Sequence, residues 1–108
     1  MAEFDLIIRG GKVVTATDVM HCEIAIRDSR IVAMAEKLNS DNAHIIDAAD
    51  RWVTPGGVDG HCHLDQPSAD GSKAADDFLT GTRSAVAGGT TTVVPFARQF
   101  HGQSLAAA

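Results

Sequence analysis

The sequence predicts an α/β protein, in which a small N-terminal β domain is followed by the first β-α-β unit of a parallel sheet or barrel. In the first half, short β-type segments alternate with tight turns, a pattern typical of a small sandwich. In the second half, a strand, an amphipathic helix and a β-branched strand follow one another, and a connection of this length implies parallel strands. The predicted boundary assigns residues 1–54 to the β domain and residues 55–108 to the second domain.

Two dipeptides predict hairpins in the β domain. Gly10-Gly11 separates the segments "DLIIR" and "KVVTA", and Asp28-Ser29 separates "CEIAIR" and "RIVAMA". A fifth strand is predicted at "AHIIDA", after a polar loop. Tight turns between such segments favour antiparallel pairing, so the predicted domain is a small β-sandwich-like or barrel-like sheet.

The second domain opens with "GGVDGHCH", which we interpret as a strand because a loop and a clear helix follow it. The helix is predicted over Lys73–Ala87, with Gly88-Gly89 as its stop. Asp76 and Asp77 are expected in its first turn, where the helix dipole favours negative charge. Apolar spacing predicts a core-facing stripe made of Phe78, Leu79, Thr82, Ala85 and Val86. The β-branched run "TTTVVPF" then predicts a buried strand.

Composition excludes several classes of function. The net charge of −5 provides no cluster of Lys and Arg for binding nucleic acid. No apolar run is long enough to cross a bilayer, and the amino terminus "MAEFDLIIRGG" lacks the basic and apolar regions of a signal peptide. Cys22 and Cys62 are too few for a disulfide framework. We therefore expect a cytoplasmic protein with neither a nucleic-acid nor a membrane partner.

The last residues, "GQSLAAA", predict that the chain is the front part of a longer protein. Ser104 has the character of a helix N-cap, and Leu105–Ala108 that of a first helical turn. Since a natural domain seldom stops one turn into a helix, further chain is expected after Ala108.

The stretch "GGVDGHCHLDQP" places two imidazoles one residue apart. Because alternate strand residues share a face, His61 and His63 are expected to point the same way, with Asp59 one step deeper on that face. At the carboxyl end of a barrel strand, such a pair could bind zinc or another first-row cation, and Asp59 could accept a hydrogen bond from a ring N–H. An H-x-H pair also occurs on the surfaces of strands without any ligand, so the pair by itself leaves both interpretations open.

The order "IIDAADRWVTPGGVDGHCHLDQP" resembles the amidohydrolase superfamily, and "ADDFLTGTRSAVAGGTTTVV" is similar to its dihydropyrimidinase and hydantoinase branch. The resemblance covers essentially the whole chain and is strongest from Ile45 to Val94. It implies that the second domain is the start of a (β/α)8 TIM-type barrel. It also implies a full-length enzyme that hydrolyses a cyclic amide to an N-carbamoyl amino acid, the cyclic amide being either a dihydropyrimidine or a hydantoin. Members of this family are often tetramers.

The resemblance carries over to a small number of positions. His61 and His63 match the pair that binds the more buried metal of a binuclear centre, usually zinc, with manganese as the alternative. The other family ligands, which are a bridging carboxylated lysine, two histidines and an aspartate that serves as the base, match no position here. No catalytic residue is therefore expected within this chain, and the chain alone should be inactive.

The chain also departs from the branch. Dihydroorotases have an arginine that binds a substrate carboxylate at the position of Asp65, so an acid there disfavours that activity. Asp65 and Gln66 are expected in the loop on the active-site face, either in contact with substrate or solvated. Pro95 stands where the family often has aspartate, and the strand should end there because proline has no backbone N–H. The alternatives are an allantoinase, a deaminase or a non-catalytic scaffold, and His61 with His63 argues against the scaffold.

Overall fold

A computed structural model of the protein describes residues 3–107, and the chain divides into two compact units, Met1–Pro55 and Gly56–Ala108. The first unit contains the strands β1 (Leu6–Arg9), β2 (Lys12–Val14), β3 (Val19–His21), β4 (Glu23–Arg27), β5 (Arg30–Ala35), β6 (His44–Asp47) and β7 (Trp52–Val53). The second unit contains β8 (Gly57–Cys62), α1 (Phe78–Ala87), β9 (Thr90–Pro95) and a 3-10 turn at Leu105–Ala107.

Within residues 3–55 the strands form two sheets. The larger has the order β5-β4-β1-β6, and the smaller has the order β3-β2-β7. Strand β1 pairs antiparallel with β4 and parallel with β6, and β2 pairs antiparallel with β3 and parallel with β7. The expectation of antiparallel pairing throughout is therefore wrong for β6 and β7. No tight turn joins β6 to β1 or β7 to β2, because β6 and β7 follow one another along the chain beside β1 and β2, which do the same.

The hairpin predicted at Gly10-Gly11 is also wrong. Strands β1 and β2 belong to different sheets, and the chain crosses from one sheet to the other at this dipeptide. Gly10 has a φ of 85°, and a Cβ on Gly11 would lie 2.7 Å from Val53 Cγ2 and 3.0 Å from Ala48 Cβ. The glycines therefore permit a sharp crossing and a close approach to β7, which a hairpin would not require.

The hairpin predicted at Asp28-Ser29 is confirmed. Strands β4 and β5 pair antiparallel, with an irregularity in register between Ala25 and Ile26. The φ angles of 51° at Asp28 and 60° at Ser29 are the left-handed pair that a two-residue turn of type I′ requires. The fifth predicted strand is present as β6, whereas the short strands β3 and β7 were not predicted.

One buried cluster of the first unit lies on one face of the larger sheet. Phe4, Ile7 and Ala25 are buried there, and Ile7 is completely inaccessible to solvent. The opposite face borders a cavity of about 340 Å³ that side chains of both sheets line, among them Ile8, Val13, Ile24, Met34 and Val53. Apolar side chains from the two sheets thus face one another, as the β-sandwich-like prediction requires.

The second unit is the predicted β-α-β unit. Strands β8 and β9 are parallel, with Val58 opposite Thr92 and Cys62 opposite Pro95. Strand β9 ends at Pro95, as expected for a residue without a backbone donor. Neither strand has a buried residue in the described part of the chain: five of the six residues of β8 and three of the six residues of β9 are exposed, and the others are half-buried. The prediction of a buried second strand is therefore wrong for these residues.

Helix α1 begins five residues later than predicted, at Phe78. Asp77 is the N-cap: its carboxylate accepts a hydrogen bond from the Thr80 N–H at 2.7 Å, and the Thr80 hydroxyl accepts one from the Asp77 N–H at 3.1 Å. Asp76 and Asp77 thus precede the first turn. The reciprocal capping box between Asp77 and Thr80 makes Phe78 the first residue of the helix. The Gly88-Gly89 stop is confirmed, with Gly88 as the C-cap.

The predicted core-facing stripe of α1 is largely exposed. Phe78, Leu79 and Val86 have 50%, 66% and 59% of their surface accessible, because among residues 56–107 the helix packs mainly on β9 and the loop after β8. The buried residue of the helix is Gly81, where a Cβ would lie 2.3 Å from Leu64 Cδ2. No helix in the described residues is long and apolar enough to cross a membrane.

Candidate metal centre

His61 and His63 lie where strand β8 ends. The strand reaches Cys62, so His61 is its penultimate residue and His63 is the first residue of the following loop. The two ring centroids are 5.3 Å apart in an edge-to-face arrangement, and both side chains are exposed. The structure therefore brings the two predicted ligands together on one side of the strand end.

Phe96 completes this cluster, and sequence reasoning missed it. Its ring is stacked on His63, with centroids 5.0 Å apart and an interplanar angle of 9°, and lies 4.5 Å from the His61 ring. The Phe96 N–H donates to the Cys62 carbonyl at 3.0 Å, which ties the ends of β8 and β9 together. The signal was available, because parallel strands place their carboxyl ends side by side and Phe96 directly follows the second strand.

Gln66 contacts His63, which the sequence did not predict. Its Oε1 lies 2.5 Å from the His63 Nδ1, and its side chain is half-buried. The loop residue expected to face substrate or solvent is thus hydrogen-bonded to one of the two candidate ligands.

Asp59 does not make the ring contact expected of it. Its Oδ1 accepts a hydrogen bond from the His61 backbone N–H at 3.0 Å, and neither imidazole is among its hydrogen-bond partners in the described structure. The register of β8 against β9 shifts between Asp59 and Cys62, so the alternation that predicted a shared face is interrupted there. Asp59 therefore shapes the strand end through the backbone of His61.

Asp65 is exposed beside this cluster, in a left-handed conformation with a φ of 48°. Its backbone N–H donates to the Asp76 carbonyl at 2.9 Å, which ties the loop to the segment before α1. A cleft of about 210 Å³ lies alongside, lined in part by Asp65, Gln66, Phe96 and Arg98. Arg98, another residue that the sequence analysis did not single out, donates to the Pro67 carbonyl at 3.1 Å.

The donor set fits part of a metal centre. Among residues 3–107 no group of three or more His, Cys, Asp or Glu side chains is arranged to hold a metal ion. Two neighbouring imidazoles are the kind of ligand that zinc and other first-row cations prefer, and a four-coordinate site needs further donors. His61 and His63 can therefore supply two ligands of such a site but cannot complete it.

Comparison with curated proteins finds close relatives, although no protein-family model matches the chain. The chain is 48% identical over 106 residues to D-hydantoinase from Streptomyces coelicolor and 41% identical over 105 residues to dihydropyrimidinase 1 from Caenorhabditis briggsae. These alignments cover 92% and 94% of the chain but only 22% and 21% of the two relatives. The chain thus spans about a fifth of their length.

Solved structures agree with these relatives. D-hydantoinase from Bacillus sp. AR9 superimposes with a TM-score of 0.87 at 46% identity, over 94% of the chain and 22% of that protein. Dihydropyrimidinase from Brevibacillus agri has the same TM-score of 0.87 at 41% identity, over 93% of the chain and 22% of that protein. L-hydantoinase from Arthrobacter aurescens gives a TM-score of 0.74 at 26% identity, over 86% of the chain and 20% of that protein.

Proposed function

We propose that the full-length protein is a metal-dependent hydrolase of cyclic amides. The chain belongs to the hydantoinase and dihydropyrimidinase family and matches the N-terminal portion of its members. The substrate of the full-length protein would be a dihydropyrimidine or a hydantoin, and the product an N-carbamoyl amino acid. The observation that carries the proposal is the pair His61 and His63 at the end of β8, in a chain that is 48% identical to a D-hydantoinase.

The proposed architecture is a (β/α)8 TIM-type barrel, in which β8, α1 and β9 would form the first β-α-β unit. In such barrels the active site lies at the carboxyl ends of the strands. His61, His63 and Phe96 are all at the carboxyl ends of β8 and β9, where that site would form. A cytoplasmic tetramer remains part of the proposal, and free Cys22 and Cys62 are compatible with a reducing compartment.

In the proposed mechanism, this chain contributes metal ligands and their support. His61 and His63 would each donate one ring nitrogen to the more buried metal of a binuclear zinc or manganese centre. When bound, such a centre supplies a Lewis acid that activates water and polarises the amide carbonyl. Phe96 packs against both rings and limits the space in which they can turn. No group that transfers a proton to the substrate is assigned to this chain, so the proton-transfer base would come from the rest of the protein.

The test is the metal content of the full-length protein, measured by elemental analysis beside its hydantoin ring-opening activity. The double variant His61→Ala, His63→Ala should lose bound metal and activity together. The matched control is His21→Ala, His44→Ala, which removes two exposed histidines of the first unit and should leave both unchanged.

About two metals per chain, lost in the His61, His63 variant, would support the binuclear hydrolase. A full-length protein that takes up no metal after growth with zinc or manganese would overturn the proposal in favour of a non-catalytic scaffold. One metal per chain with no ring opening would instead favour a deaminase.

A further inference from the structure

We infer that Gln66 is a positioning residue, whose amide oxygen holds His63 in the tautomer and ring orientation needed to bind metal. The inference deepens the proposed function and rests on the metal site assigned there. Its starting point is the 2.5 Å contact between Gln66 Oε1 and His63 Nδ1, in the loop that follows β8.

The contact determines which ring nitrogen of neutral His63 carries the proton. An amide oxygen has no hydrogen to donate and can only accept, so the His63 Nδ1 must be the donor. In a neutral imidazole the other nitrogen, Nε2, then has a free lone pair. Gln66 thus leaves Nε2 as the atom of His63 that is available to a cation, which is how outer groups commonly prepare a histidine ligand.

Two contacts together restrict the ring. The hydrogen bond from Gln66 acts in the plane of the imidazole, and Phe96 covers one face of it at an interplanar angle of 9°. Rotation about the Cβ–Cγ bond of His63 would break the hydrogen bond with Gln66 and the stacking on Phe96. The ring is therefore held in one orientation before any metal binds, which reduces the ordering cost of binding.

The loop that carries Gln66 is anchored on both sides of it. The Asp65 N–H donates to the Asp76 carbonyl at 2.9 Å, and the Pro67 carbonyl accepts from the Arg98 guanidinium at 3.1 Å. These contacts attach the two neighbours of Gln66 to different parts of the second unit. Gln66 is thus presented to His63 by a loop with little freedom to move away.

Asp59, the group first expected to orient a ring, does not perform this task. Its carboxylate accepts the His61 backbone N–H, and in the described structure its hydrogen bonds include no ring nitrogen. The substitution that tests ring positioning must therefore be made at Gln66.

The experiment compares three variants of the full-length protein with the unmodified protein. Gln66→Met keeps the length and shape of the side chain but has at most a weakly accepting sulfur, whereas Gln66→Glu keeps an oxygen acceptor. The control Gln99→Met removes a glutamine amide that donates to the Gln103 carbonyl at 2.6 Å. Zinc affinity is measured by competition with a chelator. We expect Gln66→Met to bind zinc about 10–100-fold more weakly, and both Gln66→Glu and Gln99→Met to remain within a few-fold of the unmodified protein.

A second measurement needs no metal. Nitrogen-15 NMR of histidine-labelled, metal-free protein distinguishes the two neutral tautomers, and a His63→Asn variant assigns the signals. We expect His63 to carry its proton on Nδ1 in the unmodified protein and in Gln66→Glu, and to shift towards the Nε2-protonated form in Gln66→Met. A merely structural role for Gln66 would not produce this shift.

The outcomes separate this inference from the proposed function. If the unmodified protein binds no zinc, the proposed function fails, and the NMR measurement still tests Gln66. If the protein binds zinc and Gln66→Met matches it in affinity and tautomer, the inference is overturned while the metal site stands. Should Gln66→Met not fold, Gln66→Asn retains the amide but shortens its reach, and it must weaken zinc binding and shift the tautomer for the inference to hold.

Discussion

Glu23 is a charged side chain buried in the first unit, with 7% of its surface exposed. Its carboxylate forms an ion pair with Arg9 and accepts the Leu38 backbone N–H at 2.8 Å. The hydrogen bond from Arg9, with that from Leu38, holds the pKa of Glu23 below its usual value. The residue thus connects β4 to β1 and to the segment after β5.

We expect Glu23→Gln to lower the free energy of unfolding of the first unit by about 1.5–3 kcal/mol, the range for hydrogen bonds that involve a charged group. Urea unfolding at neutral pH, monitored by the fluorescence of the single tryptophan, Trp52, measures the difference. Glu36→Gln, at an exposed position, is the control and should change little.

The pH dependence of this difference has a definite sign. Because the pKa of Glu23 is lower in the folded than in the unfolded protein, its contribution is complete above the ordinary glutamate pKa and disappears as the pH falls through the lowered value. The gap between the unmodified protein and Glu23→Gln should therefore narrow on acidification. A gap that stays constant from neutral to acidic pH would contradict the ion pair as its source.

At single positions, the sequence distinguishes poorly between residues of the same type in different roles. Gly10-Gly11 has the composition of a hairpin turn, and the requirement for small residues at the approach to Val53 appears only once β2 and β7 are paired. The His61 and His63 pair could be predicted because strand alternation and spacing are local. The contact from Gln66 could not, since it depends on the conformation of the whole loop.

At the level of the elements, the order and type of the segments in the second unit were predictable, whereas the helix boundary was not. Propensity and the helix dipole allowed α1 to begin at Lys73, but the capping box at Asp77 and Thr80 starts it later. Aspartate followed three residues later by threonine is a weak signal in sequence, because several polar residues near the helix start could serve as the cap.

We expect Asp77→Ala to loosen the first turn of α1, because the Thr80 N–H loses its acceptor. The same hydrogen bond lowers the pKa of Asp77, so its capping contribution is present above the usual aspartate pKa and is lost as the pH falls through the lowered value. Amide hydrogen exchange at Thr80 should accelerate several-fold in the variant at neutral pH, and by less in acid. Asp76→Ala is the matched control, and equal acceleration in both variants would contradict the assignment of Asp77 as the cap.

At the level of the molecule, the sequence predicted two units and a parallel β-α-β arrangement in the second, because length, turn residues and periodicity are properties of the chain itself. The sequence could not predict which apolar side chains are buried and which are exposed among the described residues. The stripe on α1 has helical spacing, but Leu79 and Val86 are buried only if a further layer packs on them, and residues 56–107 provide one helix and two strands.

This exposure leads to an expectation for the 108-residue chain produced by itself. Phe78, Leu79 and Val86 form an apolar surface on α1 that water disfavours, and the open edges of the two-stranded sheet can pair with another chain. We expect this chain to self-associate with rising concentration in sedimentation velocity and to show no hydantoin ring opening. Leu79→Lys with Val86→Lys should shift the distribution towards the monomer, whereas Ser84→Lys on the same helix should not. A chain that sediments as a monomer at all concentrations, with or without the lysines, would contradict the expectation that this apolar surface drives association.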